Sequence, residues 1–172
     1  MERVDIINDM KSEMKDELQQ STRFSFGSTS AIITNIAIII GLDTAIHAKM
    51  AIIGSLLVIA IADNVSDTLG IHIYQESEGL SQKKVWSLTL SNFLSRLIIS
   101  LGFVAIIIAL PLNIAIIVSL IYGLSILSIV SYLIALSKKR NPFTSIAEHL
   151  FISIIIIFIS KISGGFIVHY FK

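Results

Sequence analysis

The 172-residue sequence has no cysteine, only two prolines and one tryptophan, and just 15% of its residues are Asp, Glu, Lys or Arg. The missing thiols exclude disulfides and thiolate-ligated metal centres. The shortage of charge is equally restrictive, because a soluble domain is normally about a quarter charged. A net charge of +1 gives no basis for nucleic-acid binding. Also missing are a Gly-rich phosphate loop with its Lys, an HExxH zinc signature and any usable Ser/His/Asp order. Hydrolysis and ATP-driven pumping therefore lack support, and the chain is not read as an enzyme.

Apolar side chains are plentiful instead, at 54% of residues with a mean hydropathy of +0.84. Stretches 31–42, 97–110, 114–136 and 151–159 carry no charged side chain. A helix needs roughly 20 mainly apolar residues to cross a hydrocarbon core of about 30 Å. The expected fold is an all-α integral membrane protein with five transmembrane helices, at about 24–43, 48–72, 88–110, 113–137 and 145–170. The runs are too long for barrel strands and show no alternation. Asp43, Thr44, His47 and Lys49 separate the first two spans, and residues 75–84 the next two. Pro111 forces a tight turn, and Pro142 is placed to open the last helix.

Lys and Arg collect in cytoplasmic loops. With the N-terminus cytoplasmic, inner segments hold Arg3, Lys11, Lys15, Arg23, Lys83, Lys84, Lys138, Lys139 and Arg140, and outer segments only Lys49 and Lys172. The expected topology is N-terminus cytoplasmic and C-terminus outside. No cleavable signal is expected, since residues 1–20 mix acids and bases. The chain divides into a cytoplasmic amphipathic helix, 1–22, and a five-helix transmembrane domain, 23–172. In the first, Val4, Ile7, Met10, Met14 and Leu18 form an apolar stripe. Asp5, Asp9, Glu13 and Glu17 line another face, which is either solvated or a weak gathering point for divalent cations.

Ionisable residues inside spans are costly and are functional candidates by default. Asp63 and Asp67 lie one turn apart, so both carboxylates share a face of the second span. Gly70 continues that face and admits a close neighbour helix. The first span offers the oxygen donors Ser28, Thr29, Ser30, Thr34 and Asn35. Counting ~1.5 Å per residue from the span edges puts Ser30 and Asp63 near one level. Carboxylate, hydroxyl and amide oxygens suit Mg, Ca or Mn, and Fe(II) less selectively. Burial disfavours a charged carboxylate, so the same acids can also take up protons. The metal set is thus Asp63, Asp67, Ser30, Thr34 and Asn35. The alternative is internal pairing of the two acids with Arg96 or Lys161. His72 and Glu76, an i, i+4 pair, with Glu78 beyond and Glu148 opening the last span, are candidates for a cytoplasmic entry or are simply solvated. Gly164-Gly165 reads as a close helix contact.

Three stretches resemble the vacuolar iron transporter family. Phe26-Gly27-Ser28-Thr29-Ser30-Ala31 falls where the family has F-G-A-N-D-G. Ala62-Asp63-Asn64-Val65-Ser66-Asp67-Thr68-Leu69-Gly70-Ile71-His72-Ile73-Tyr74 is similar to its A-D-A-I-S-M-G-L-G-E-Y. Arg140-Asn141-Pro142-Phe143-Thr144-Ser145-Ile146-Ala147-Glu148 resembles its R-S-P-L-R-A-G-L-E. The resemblance implies a homodimeric five-helix transporter exporting Fe(II) or Mn(II) from the cytosol in exchange for protons; the cell membrane is the expected location because no organellar signal is evident in the sequence. It also implies an ion path at the dimer interface between the first two spans. The metal is then cargo and no cofactor is expected. The sequence departs from the family at telling places. The first-span acid falls on Ser30, the second-span methionine on Asp67, and the Gly-Glu-Tyr acid on Ile71 or His72. The carboxylate has in effect moved to the facing helix and the soft sulfur is lost, which argues against strict iron selectivity. A non-transporting scaffold or regulator with the same fold is the rival expectation.

Overall fold

The computed structural model describes residues 27–171. The expected amphipathic helix at 1–22 and the Phe26 motif position lie outside the described residues. Within them the chain is all-helical, in five helices: α1 (Gly27–Ile46), α2 (Lys49–Ser77), α3 (Gln82–Ala109), α4 (Leu112–Ser137) and α5 (Pro142–Phe171). All five are long and apolar enough to cross a membrane.

The ends follow local chemistry. α1 stops at His47, which takes a positive φ of 41° while its Nδ1 lies 2.5 Å from Asp43 Oδ1. Two residues later Lys49 opens α2, and its Nζ donates to the carbonyls of Ile108 and Leu110, both at 2.9 Å. A cation thus seals the carbonyl end of α3, where the helix dipole favours it. Gly79, with φ 71°, ends the α2 turn. Leu110 and Pro111 break α3 from α4. Lys139, with φ 53°, closes α4. Its N–H reaches Leu136 O at 3.2 Å, and Arg140 N–H reaches Ala135 O at 2.9 Å. These are the paired bonds of a Schellman cap. Pro142 is the first residue of α5, as expected, and Asn141 Oδ1 accepts the Phe143 N–H at 3.0 Å.

Two boundaries differ from the hydropathy reading. Spans expected to end at 72 and begin at 88 run on as helix to Ser77 and back to Gln82. Polar turns stay helical because the helix satisfies its own backbone whatever the side chains. Asp43 and Thr44 likewise belong to α1, with Thr44 Oγ1 bonded back to Ile40 O at 2.8 Å.

α1 lies against all the others. Ile32, Ile36 and Ile39 of α1 are buried with Ile52 and Leu56 of α2, Phe103 and Ile107 of α3 and Leu127 of α4. Gly123 on α4 makes this possible: a Cβ there would sit 2.7 Å from Ile36 Cδ1 and 2.9 Å from Phe103 Cζ. α5 crosses α1 at Gly164, where a Cβ would meet Gly41 O at 2.5 Å. The expected close contact is therefore Gly164 alone. At Gly165 and Gly70 a Cβ would meet nothing within 4 Å among the described residues, so neither is a packing glycine there. The other face of α5, with Phe151, Phe158 and Phe166, is exposed.

Candidate ion site on the α2–α3 seam

From Ile52 to Thr68 the buried positions of α2 are Ile52, Leu56, Ala60, Asn64 and Thr68, every fourth residue, with Gln75 buried beyond them. At 3.6 residues per turn such a stripe drifts by about 40° per step. A π-helical turn at Ile59–Asp63 offsets part of that drift. The wide turn keeps one face of α2 on α3 and ends on Asp63. Single π turns in long helices are frequent at functional sites.

Opposite this turn sits Arg96 of α3, buried to 2% exposure. Its Nη2 donates to Asp63 Oδ2 at 2.8 Å, and its Nη1 forms an ion pair with Asp67 Oδ2 at 2.6 Å. The guanidinium fork bridges two acids one turn apart, a geometry arginine's planar donors suit. The three side chains are unequally covered: Arg96 is 3% exposed, Asp67 33% and Asp63 47%. The cation is inside, and the anions sit at the rim of an outward face lined by Ile61, Val65 and Leu69. Two carboxylates and one guanidinium leave a formal charge of −1. The start of α1 lies over the Arg96 stem, where a Cβ at Gly27 would stand 3.3 Å from Arg96 Cγ and run into Asn92 Oδ1. That close approach is the reason for glycine at 27.

Neutral polar groups continue the seam in both directions. Asn64 Nδ2 donates to Phe93 O at 3.0 Å, Thr68 Oγ1 to Asn64 Oδ1 at 3.3 Å, and Asn92 Nδ2 to Thr68 Oγ1 at 3.2 Å. One turn further, His72 Nδ1 shares a hydrogen bond with Thr89 Oγ1 at 3.0 Å, and its ring leans on Trp86 with centroids 4.7 Å apart. Its Nε2 is 3.6 Å from Glu76 Oε1, which accepts from Gln82 Nε2 at 2.9 Å. Toward α1, Asn35 Nδ2 donates to Ala31 O at 2.7 Å and Ser100 Oγ at 2.9 Å. Among the described residues, Ser28 Oγ, Asn35 Oδ1, Asn92 Oδ1, both Gln75 amide atoms, Asp67 Oδ2 and Arg96 Nε and Nη1 are buried without a hydrogen-bond partner.

The expected site residues are thus divided. Asp63 and Asp67 come together, on Arg96. Asn35 turns into the core and reaches the acids only through α3, since Ser100 is one turn from Arg96. Ser30 and Thr34 are half-buried on the adjacent face of α1. His72 and Glu76 pair on α2, while Glu78 in the following turn and Glu148 on α5 are exposed on separate elements. Among the described residues no three His, Asp or Glu side chains converge as a metal-binding group. Lys161 is exposed on α5, so of the two counter-charges considered Arg96 is the one used. Sequence reasoning passed over Asn64, Thr68, Thr89, Asn92 and Ser100. The signal for the last two was present, since Asn92, Arg96 and Ser100 recur every fourth residue in an apolar span. On α4 and α5, Ser131 Oγ donates to Leu127 O at 2.6 Å and lies 2.7 Å from His149 Nδ1. Its one hydrogen is spent on Leu127, so His149 Nδ1 is the donor there.

No protein-family model, curated protein or solved structure matches the chain.

Proposed function

We propose that this chain is a divalent-cation transporter of the cell membrane, of the Fe(II)/Mn(II) type, working as a homodimer and exporting metal from the cytosol in exchange for protons. Asp63 and Asp67 are its ion-binding acids. The observation that carries this reading is the half-open carboxylate pair at the π turn. Asp63 is about 21 Å along α2 from Lys49 at ~1.5 Å per residue, well inside a ~30 Å core. A carboxylate there does not face lipid without a large penalty. Its exposed edge therefore meets water, a passing cation or a second copy of the chain, all of which a transporter supplies. The resemblance to the vacuolar iron transporter family supports the same class of cargo, and the oxygen donors Asp63 and Asp67 suit Mn(II) at least as well as Fe(II).

One observation favours a second reading, a non-transporting scaffold with the same fold: Arg96 already forms ion pairs with both acids within the chain. The two readings separate in proteoliposomes of purified protein offered Mn(II), Fe(II), Mg(II) or Ca(II), with an internal pH dye. The transporter gives metal uptake with opposite proton movement, lost in Asp63→Ala and in Asp67→Asn. The scaffold gives neither flux nor metal-induced thermal stabilisation, which any ligand selective for the folded state must produce.

A further inference from the structure

We infer that Arg96 is a resident counter-cation, a tethered positive charge that competes with the transported metal for Asp63 and Asp67. The inference rests on the transporter reading and adds to it the residue that sets its affinity and release. The geometry is specific. The fork occupies one oxygen of each acid, Asp63 Oδ2 at 2.8 Å and Asp67 Oδ2 at 2.6 Å. These are the two carboxylates a divalent ion needs, and a cation cannot be held by both at full strength while the guanidinium is there. Arg96 itself is buried, and its stem is covered by the start of α1 at Gly27, so it stays poised beside the acids when they let go. Among the described residues its Nε has no hydrogen-bond partner and its Nη1 meets Asp67 as an ion pair without hydrogen-bond geometry, so a single hydrogen bond, from Nη2 to Asp63, holds the head group. A site with two bare carboxylates would bind a divalent ion tightly and release it slowly. An internal cation that returns to the acids weakens the bound state and speeds release.

The test measures Mn(II) binding to purified protein by titration calorimetry, and Mn(II) flux in proteoliposomes. Arg96→Gln is expected to bind Mn(II) at least 10-fold tighter than wild type while turning over more slowly. Arg96→Lys, which keeps the charge, is expected to return both values toward wild type. A purely structural arginine predicts the opposite: Arg96→Gln binds no tighter, and turnover follows the amount of folded protein. Should Arg96→Gln fail to fold, Asp63→Asn is compared with Asp63→Asn/Arg96→Gln. This pair differs only at Arg96 and leaves a single acid unpaired, and the double variant is expected to bind Mn(II) more tightly. Equal or weaker binding in the variants lacking Arg96, alongside normal wild-type flux, overturns the counter-cation and leaves the transporter standing. Absence of binding and flux for every cation in wild type and in all variants overturns the transporter reading, and this inference with it.

Discussion

Replacing Gly164 by Ala is the sharpest perturbation of the helix packing. The new Cβ would lie 2.5 Å from Gly41 O and 2.9 Å from Thr44 Cβ, against the 3.4 Å at which ordinary contact begins. The first obstacle is backbone, so no rotamer change relieves it. α5 must move off α1 by about the 0.9 Å shortfall, which widens the apolar cavity that Ala37, Ile38 and Ala45 line with Ile159 and Ile167. A forced shift of this kind costs about 1–3 kcal/mol, since a gap of 0.5–1 Å already forfeits roughly a quarter to a half of a dispersion contact. Gly165→Ala is the internal control. It meets nothing within 4 Å and replaces a poor helix former by the best, a gain of up to about 1 kcal/mol. The propensity gain is common to both variants, so the neighbours should differ by the packing cost of about 1–3 kcal/mol in SDS-induced unfolding from mixed micelles, with Gly164→Ala the weaker. Equal midpoints would show that α1 and α5 do not depend on backbone approach at Gly164.

Lys139→Gly should stabilise the chain by about 1 kcal/mol in the same assay, because φ 53° at the α4 cap strains any residue with a Cβ; an unchanged midpoint would mean that the cap is not under strain. The expected orientation has a direct check, because the native chain contains no cysteine. Single cysteines at Ser137, ending α4, and Met50, opening α2, should react with an impermeant maleimide from opposite sides, Ser137→Cys from the cytosol. Labelling of both from one side would break the alternating five-helix topology.

The fold was readable because burial in lipid and burial in protein both demand apolar residues, and five runs of them are unmistakable in 172 residues. Helix ends were less readable for the same reason: hydropathy reports the solvent around a helix, and α2 and α3 outlast their apolar stretches by a turn or more. The two acids were readable too, since charge inside a span is rare. Their partner was visible only as an option, because nothing in the sequence orders Arg96 ahead of Lys161 until α3 is placed against α2. The π turn left no mark that composition could reveal. Its cause is the four-residue recurrence of Ile52, Leu56, Ala60, Asn64 and Thr68, which is evident only once those residues are known to be buried. The neighbours of Gly70 and Gly165 were not readable because glycine has several uses in a helix, and a lone glycine does not say which neighbour it admits.

The remaining question is why one arginine faces two acids. A structural ion pair needs only one, and the second leaves the cluster with an unbalanced negative charge in an apolar span. Buried ion pairs are in any case weak contributors to stability, and their replacement as a group by apolar residues of similar size is often neutral or stabilising, by about 1–4 kcal/mol. Removing one partner is the damaging change, because it strands the other charge. The triple variant Asp63→Leu, Asp67→Leu, Arg96→Met should then fold, with an unfolding midpoint at or above that of wild type, and carry no cation. Arg96→Met alone should be clearly less stable than the triple variant. If the triple variant instead fails to fold although Asn64, Thr68 and Asn92 are left unchanged, the triad is what holds α2 to α3. The polar groups would then serve architecture first, and the scaffold reading would lead.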